Sequence, residues 1–167
     1  MGYSLAPLPG LCRLPQPPLD APGTPVAQSA ILTEPALTLN GDVKELDKLA
    51  GWLRQFCRDA ALGDDLEFRL NLALEELFTN AVRHGGCNGM ADAASIRLQC
   101  EGPDVLVEYS DQGRPFDPAD APAPDLDSPL AERPAGGLGL HFVRQIARDF
   151  EYHRVGGRNR ITMRLSI

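Results

Sequence analysis

The sequence predicts an α/β (α+β) domain built as a two-layer sandwich, with helices on one face of a mixed, mainly antiparallel sheet. Segments with apolar residues every three or four positions alternate with short segments in which apolar and polar residues alternate. Their order is strand, helix, helix, two strands, loop, helix, two strands. That order contains too few strand–helix–strand units for a doubly wound parallel sheet, which leaves a two-layer arrangement as the better prediction.

The first half of the domain supplies one strand and two helices. Residues 36–39 alternate in polarity and stop at Asn40-Gly41. Asp42 is placed to cap a first helix, whose apolar positions are Val43, Leu46, Leu49, Leu53 and Phe56. Asp64, followed three residues later by Glu67, resembles a capping box and predicts the start of a second helix that stops before Gly85-Gly86.

The second half supplies four strands and a third helix. Residues 95–100 and 105–110 read as a hairpin turned at 101–104. Residues 117–135 lack periodicity and predict a long loop, which inside a compact domain is usually functional or mobile. A glycine-rich turn then opens a helix over about 140–150, and strands over 152–155 and 160–167 close the chain.

Composition divides the 167-residue chain into a tail and a domain. Residues 1–33 hold seven of the fifteen prolines, and because proline lacks a backbone donor and fixes φ, we expect a disordered tail there. A proline-rich docking peptide is the alternative, although no PxxP motif flanked by basic residues supports it. Residues 34–167 are long enough for one domain with its own core.

Charge and hydropathy exclude several functional classes. The net charge of −7 disfavours general nucleic-acid binding, because phosphate contacts require a positive surface. No apolar run approaches the roughly 20 residues needed to cross a bilayer, and the N-terminus lacks a secretory signal pattern. The four cysteines are scattered without metal-ligand spacing, so we expect free thiols and a cytoplasmic location.

Three short motifs carry the candidate chemistry. On the second helix, Glu76 and Asn80 stand at i and i+4 and share a face, where a carboxylate and a carboxamide could hold a proton acceptor and a hard cation together. Taken alone, a solvated polar stripe is the better interpretation of that pair. Asp111 ends a strand and is followed by Gly113, which lets the backbone approach a ligand, so the motif could be a binding loop. Taken alone, the motif favours a binding loop only slightly over an ordinary tight turn.

The third motif is the glycine-rich turn at residues 136–140. Free backbone N–H groups and the positive end of a helix dipole favour an anion at such a turn. No Lys-Ser/Thr pair follows it, and no strand closely precedes it, so it is neither a Walker A loop nor a dinucleotide fingerprint. Taken alone, the glycine-rich turn is weak evidence for an anion site. The order of the three motifs along the chain is more informative than any one of them.

A helical E-x-x-x-N, a strand-end D-x-G, a long loop and a G-x-G helix start resemble the GHKL (Bergerat-fold) ATPase and kinase family over about residues 34–167. Within that family, the sequence Glu76-Leu-Phe-Thr-Asn80-Ala-Val-Arg-His84 and the D-x-G-x-P-F-D-P form of the second motif are similar to the RsbW/SpoIIAB anti-sigma serine kinases. Histidine kinases usually carry a second glycine where Pro115 stands.

The resemblance implies a role for each motif residue. Asn80 would coordinate Mg²⁺ at the phosphates of ATP, and Glu76 would be the general base toward the substrate hydroxyl. Asp111 would accept a hydrogen bond from the adenine amino group, with Gly113 allowing the base to lie close. The remaining cofactor-binding residues it implies are Gly137, Leu138, Gly139 and Leu140 at the phosphates, with residues 118–135 as a lid. Arg133, the one basic residue of that lid, would touch a phosphate or a partner.

The function implied by the resemblance is a serine/threonine protein kinase that acts as an anti-sigma factor. Its partners would be a STAS-domain anti-anti-sigma protein, which it phosphorylates, and a sigma factor, which it sequesters; family members commonly act as homodimers. Two alternatives stay open. One is a catalytically silent ATP-binding switch that sequesters another regulator, and the other is a detached histidine-kinase-like catalytic domain.

Overall fold

A computed structural model describes residues 36–116 and 138–167 of the chain. The described elements, in chain order, are β1 (Ala36–Leu39), a 3₁₀ turn (Val43–Glu45), α1 (Leu46–Asp59), α2 (Asp64–Arg83), β2 (Ala94–Glu101), β3 (Asp104–Asp111), α3 (Leu138–Ile146), β4 (Arg148–Val155) and β5 (Arg158–Ser166). The proline-rich tail and the loop predicted over 117–135 lie outside the described residues. The order of elements predicted from the sequence is confirmed.

The five strands form one open sheet in the order β1-β2-β3-β5-β4. Every pairing among the described strands is antiparallel, so the sheet is simpler than the mixed one expected. The β2–β3 hairpin turns through Gly102, whose φ of 59° lies in the left-handed region that glycine adopts without strain. The α+β sandwich predicted from the sequence is confirmed.

The two faces of the sheet differ as the strand alternation predicts. One face is apolar and is covered by the helices. The fully buried side chains between the sheet and the helices include Tyr109, Phe78, Leu39, Leu49, Leu53, Leu70, Leu74, Ile96, Leu98, Met163, Leu165 and Val105. The other face carries polar cross-strand neighbours such as Arg97 opposite Glu108 and Glu108 opposite Thr162. Burial of the apolar face drives the layer packing, while the polar face is left to solvent.

Helix α2 is the element that links the core to the predicted site. Its buried side chains recur at helical spacing from Leu66 to Val82 and pack on the sheet. The phenol of Tyr109, fully buried on β3, donates a hydrogen bond to the carbonyl oxygen of Leu77 over 3.2 Å. Helix α3 packs against α2 on the same face of the sheet.

Two local predictions are wrong. The capping box at Asp64 does not form: Gly63 is the N-cap, and no side chain caps the helix. Asp64 lies instead inside the first turn of the helix. There its negative charge and those of its acidic neighbours interact favourably with the positive end of the helix dipole. The third helix ends at Ile146 rather than near 150, because Phe150 belongs to β4, where it packs against the core next to a bulge.

The cysteines of the described residues are of two kinds, free and disulfide-bonded. Cys57 and Cys87 are free, as expected, and both are buried. Cys100 is disulfide-bonded, so the expectation of four free thiols is wrong. In the ranges that the structure describes, no helix combines the length and apolar character required to span a membrane.

Candidate functional site

The candidate site is built where the end of β3, the turn after α2 and the start of β5 meet. Asp111 is the last residue of β3 and is 5% exposed, the same exposure as Asn159 opposite it on β5. The backbone N–H of Arg114 donates to the carbonyl oxygen of Gly85 over 2.8 Å, which ties the turn after β3 to the turn after α2. The predicted strand-end motif and helix motif are therefore neighbours in space.

The Asp111 carboxylate is held by one of its two oxygens. Oδ1 accepts hydrogen bonds from the backbone N–H of Gly113 over 2.7 Å and from Nδ2 of Asn159 over 2.8 Å. No residue in 36–116 or 138–167 donates to Oδ2. Asp111 therefore offers a fixed acceptor with unused capacity, which fits a ligand that brings an N–H group.

Burial sets the protonation behaviour of this carboxyl. Desolvation raises the pKa of Asp111 above its ordinary value, because the charged form loses hydration. The hydrogen bonds from Asn159 and Gly113 and the positive charges of Arg154 and Arg158 oppose that shift and lower the pKa. A ligand N–H on the second oxygen would act in the same direction as those donors.

Gly113 stands where a side chain would not fit. A Cβ there would lie 2.7 Å from Oδ1 of Asp111, 3.2 Å from the carbonyl oxygen of Gly85 and 3.4 Å from Sγ of Cys87. Real Cβ atoms essentially never approach another heavy atom to 2.7 Å. The glycine therefore keeps this turn against Asp111, in agreement with the close approach expected from the D-x-G spacing.

A buried thiol lies beside the same turn. Cys87 is fully buried, and desolvation together with the charge of Asp111 raises the pKa of its thiol. A thiol whose pKa is raised is a poor nucleophile near neutral pH, because little of it is thiolate. Cys87 thus acts as packing behind the site rather than as a reactive group.

A polar cluster on β4 and β5 was missed by the sequence analysis. Oδ1 of Asn159 accepts from the Tyr152 hydroxyl over 2.9 Å and from Nη1 of Arg154 over 2.7 Å. Nη1 of Arg154 also donates to the carbonyl oxygen of Gly113 over 2.7 Å. The sequence did contain one indication: Asn159 is the polar member of an alternating series whose other members, Ile161, Met163 and Leu165, are apolar and buried.

Glu76 and Asn80 lie on α2 at the edge of its apolar face. Both are half-buried, with buried Leu77, Phe78 and Ala81 beside them. Neither side chain bonds to another residue in the described parts of the chain. The carbonyl oxygen of Asn80 accepts from the N–H groups of His84 and Gly85, so Asn80 lies one turn before the Gly85 carbonyl that holds the β3 turn.

The glycine-rich motif is described only in part. Leu138 and Gly139 open α3, and Leu140 is buried in the core. Gly137, Arg133 and the predicted lid at 118–135 lie outside the described residues. Within the described ranges, α2, the turn after β3 and the start of α3 are thus the elements that carry the three predicted motifs.

The sequence and the fold of this chain are similar to those of known ATPase and kinase domains. The family model of the histidine kinase-like ATPase domain matches residues 39–165, most of the chain. No curated protein matches. Among solved structures, the RsbU and RsbW domains of Rv1364c from Mycobacterium tuberculosis share the fold, with a TM-score of 0.57 and 14% identity over 78% of this chain.

The coverage of the similar structures is partial. The chain spans 31% of the Rv1364c structure. The histidine kinase AdeS of Acinetobacter baumannii is 22% identical over 60% of this chain and 46% of its own, with a TM-score of 0.40 that is too low to indicate a shared fold. The fold assignment therefore depends on the first structure and on the family model.

Proposed function

The chain belongs to the histidine kinase-like ATPase family, and we propose that within it the protein is an ATP-dependent serine/threonine kinase acting as an anti-sigma factor. The observation that supports this most is the buried Asp111, whose Oδ1 is saturated by Gly113 and Asn159 while Oδ2 receives no bond from a described residue. Such an atom suits the amino group of adenine. The turn that follows the carboxylate and carboxamide of α2 is bonded to the turn after Asp111, because the N–H of Arg114 donates to the carbonyl oxygen of Gly85.

The proposal gives Asp111 the recognition of the base. Its unused oxygen would accept from the adenine amino group, and Gly113 would let the base lie against the turn, since no Cβ projects there. Gly137, Leu138, Gly139 and Leu140 would present backbone N–H groups to the phosphates at the start of α3. Arg133 would touch a phosphate or a partner protein.

Glu76 is proposed as the general base. A half-buried carboxylate that no described residue bonds is available to take the proton of a serine or threonine hydroxyl. As the hydroxyl oxygen bonds to the γ-phosphorus, the bond from that phosphorus to the bridging oxygen of ADP breaks. Such a base typically contributes about 10²–10⁴-fold to the rate.

Asn80 is proposed to hold Mg²⁺. The ion is typically bound by one or two protein oxygens together with water and substrate phosphates, and the unbonded amide oxygen of Asn80 fits that pattern. When bound, Mg²⁺ would supply charge neutralisation for the transferred phosphoryl group. Asn80 itself would orient its amide oxygen toward the phosphates from a rigid helix.

The proposed partners are a STAS-domain anti-anti-sigma protein as substrate and a sigma factor as sequestered target. The presence of an RsbW domain in the similar solved structure supports this choice of partners. We propose that the protein is cytoplasmic and acts as a homodimer, without binding nucleic acid directly. The acidic net charge agrees with the last point.

One observation keeps a second function open. Because the bonds around Asp111 support nucleotide binding and say nothing of transfer, an ATP-binding switch that sequesters a regulator without phosphorylating it remains a candidate. The half-buried Glu76 favours the kinase, since a pure binder has no need of a base at that position. A detached histidine-kinase-like domain would differ in its product, because phosphohistidine is acid-labile and phosphoserine is not.

The test is transfer of label from γ-labelled ATP with Mg²⁺ to purified STAS-domain proteins of the same organism. Glu76→Gln should reduce transfer by at least about 10²-fold while leaving ATP affinity nearly unchanged. Glu75→Gln is the matched control, because Glu75 is also half-buried but lies one position round the helix. Acid-stable label on a serine or threonine supports the proposal, and acid-labile label supports the histidine-kinase alternative. If the wild-type protein binds ATP but labels no protein, the kinase proposal fails and the ATP-binding switch is the better explanation.

A further inference from the structure

A cavity of about 260 Å³ opens between α1 and α2. Phe68 stands at its edge and is 66% exposed, more than any other large apolar side chain in the described ranges. None of the three sequence motifs contributes to the cavity. The residues that line it are Ala50, Arg54, Asp64, Glu67, Phe68 and Asn71.

Phe68 lies on the polar face of α2. Asp64, Phe68 and Asn71 stand at i, i+4 and i+7 and so share one face of the helix. The apolar face of the same helix, which begins with Leu66 and Leu70, is buried in the core. A single exposed aromatic ring is common on protein surfaces. What makes this ring informative is the cavity beside it, because a ring of the same kind could fill that space and remove both apolar surfaces from water.

The two helices bring opposite charges to this groove. On α1, Arg54 has a side chain that is 60% exposed, and its Nε lies 3.7 Å from Oε1 of Glu67 on α2. Asp64 is exposed, and its side chain bonds to no other residue in the described parts of the chain. Because a guanidinium has five donors, Arg54 can bind a second carboxylate while it keeps Glu67. The groove therefore presents one unused carboxylate and one cation with spare donors.

The groove is complementary to a second copy of itself. In a dimer with two-fold symmetry, the same patch is used by both copies, so every contact across the interface occurs twice. A ring beside a cavity meets that condition, because the ring of each copy can fill the cavity of the other. A cation and an anion on the two sides meet it as well. The two rings would then lie side by side, where aromatic pairs gain from offset stacking.

We propose that this groove is the homodimer surface of the protein: Phe68 of each copy inserts between α1 and α2 of the other, and Arg54 of each copy pairs with Asp64 of the other. The inference rests on the homodimer in the proposed function and names its surface. A groove with charge of one sign would favour a partner of the opposite charge. This groove carries both signs, which favours a second copy of the chain.

The proposed surface lies away from the candidate nucleotide site. Phe68 and Asn80 are both on α2, and at 1.5 Å per residue they are about 18 Å apart along the helix axis. Asp64 begins this helix, whereas the turns that meet at the candidate site follow its other end. A dimer through the groove therefore leaves the site of each copy open, so a mutation should be able to abolish dimerisation without affecting ATP binding.

Sedimentation velocity of the full chain over a range of protein concentrations measures the dimer. Phe68→Ser should raise the dissociation constant of the dimer by at least about 10²-fold, because symmetry removes two buried aromatic side chains at once. It should bind ATP as wild type does, which checks that the variant is folded. Phe142→Ser is the matched control, because Phe142 is 45% exposed on α3 and does not line the groove, and it should dimerise like wild type.

Charge reversal tests the pairing of Arg54 with Asp64. In Arg54→Glu, two acids would face each other at both contacts of the dimer, and in Asp64→Arg two bases would. Each variant alone should therefore be a monomer at concentrations where wild type is a dimer. An equimolar mixture of the two variants has opposite charges at both contacts and should form a dimer with one copy of each. Thermal unfolding checks that both variants are folded.

The outcomes distinguish this inference from the proposed function. A dimer that persists in Phe68→Ser and in both charge reversals would overturn the inference and place the homodimer on another surface. Charge-reversal variants that stay monomeric when mixed would overturn the pairing on which the inference depends. Wild type that is a monomer at every concentration would overturn both the inference and the proposed homodimer. Wild type that dimerises through the groove but phosphorylates nothing would leave the inference standing while the kinase proposal fails.

Discussion

Nδ2 of Asn159 donates to Oδ1 of Asp111 over 2.8 Å and so joins the start of β5 to the end of β3 at two residues that are each only 5% exposed. The two strands pair along their whole length, with Asn159 two positions along the strand from Ile161 and Asp111 two positions from Tyr109. The polar pair therefore continues the core layer of the sheet up to the candidate site. Its two members are held in place by the buried residues that precede Asp111 and follow Asn159 along the strands.

Asn159→Ala should weaken both folding and nucleotide binding. The change removes a donor to Asp111 and leaves the Tyr152 hydroxyl and Arg154 without their shared acceptor. We expect the free energy of unfolding to fall by about 1–3 kcal/mol, as for a buried polar group left unsatisfied. Urea unfolding measures it, with exposed Asn88→Ala as the control that should stay within about 0.5 kcal/mol of wild type. A variant as stable as wild type would show that the cluster contributes nothing.

The raised pKa of Asp111 predicts a pH-dependent difference between wild type and Asp111→Asn. A carboxyl whose pKa is higher in the folded than in the unfolded state stabilises the fold below its unfolded pKa and loses that contribution as pH rises through the folded pKa. Relative to Asp111→Asn, wild type should therefore lose stability as the pH rises from about 4 and reach a plateau above the folded pKa. Denaturant unfolding of both proteins across that range measures the difference.

The same variant separates stability from function. Asp111→Asn should remove most ATP affinity, even where it unfolds at higher denaturant than wild type, because an amide in place of the carboxylate weakens the acceptor. Isothermal titration with ATP at neutral pH measures the affinity. A stability difference that does not change with pH would contradict the raised pKa, and unchanged ATP affinity would contradict the proposed role.

The sequence predicted the strand order in the chain and the helical face of α2 because these follow from periodic burial. The last helix was misjudged at its end, since an apolar residue such as Phe150 fits a strand packed on the core as well as one more helical turn. The capping box at Asp64 failed because an acidic residue near a helix start is equally favourable one position further in.

The candidate site was predictable in part for a similar reason. Asp111 and Gly113 lie within one short motif, so local spacing was enough to place them together. Asn159 and Arg154 reach Asp111 and Gly113 only through strand pairing, across more than forty residues of chain. Contacts of that kind depend on the register of β5 against β3 and β4, which periodicity alone does not give.

Cys57 should be unreactive in the folded protein. Burial, followed by the nearby charge of Glu67, raises the pKa of its thiol to about 11, and the side chain is 1% exposed. Because the thiolate is the reactive species, we expect its alkylation at pH 8 to follow unfolding rather than to occur in the native state. Mass spectrometry of the Cys57 peptide after iodoacetamide treatment, with and without urea, measures this. Rapid labelling without denaturant would contradict the buried position.

Gly113→Ala should weaken nucleotide binding while leaving most of the fold intact. The added Cβ would lie 2.7 Å from Oδ1 of Asp111 and 3.2 Å from the backbone carbonyl of Gly85, so the turn has to move away from the carboxylate. Movement of this turn lengthens the Gly113 N–H bond to Asp111 and shifts the surface proposed for the base. We expect ATP affinity to fall by at least about tenfold, a loss comparable to one hydrogen bond.

Gly51→Ala is the control for that substitution. Gly51 lies within α1, and a Cβ there meets nothing within 4 Å. Alanine should therefore stabilise the protein by about 0.5–1 kcal/mol, because a mid-helix glycine is costly relative to alanine, and should leave ATP affinity unchanged. Calorimetric titration and thermal unfolding of both variants give the comparison. Gly113→Ala that binds ATP like Gly51→Ala would show that the base does not lie against this turn.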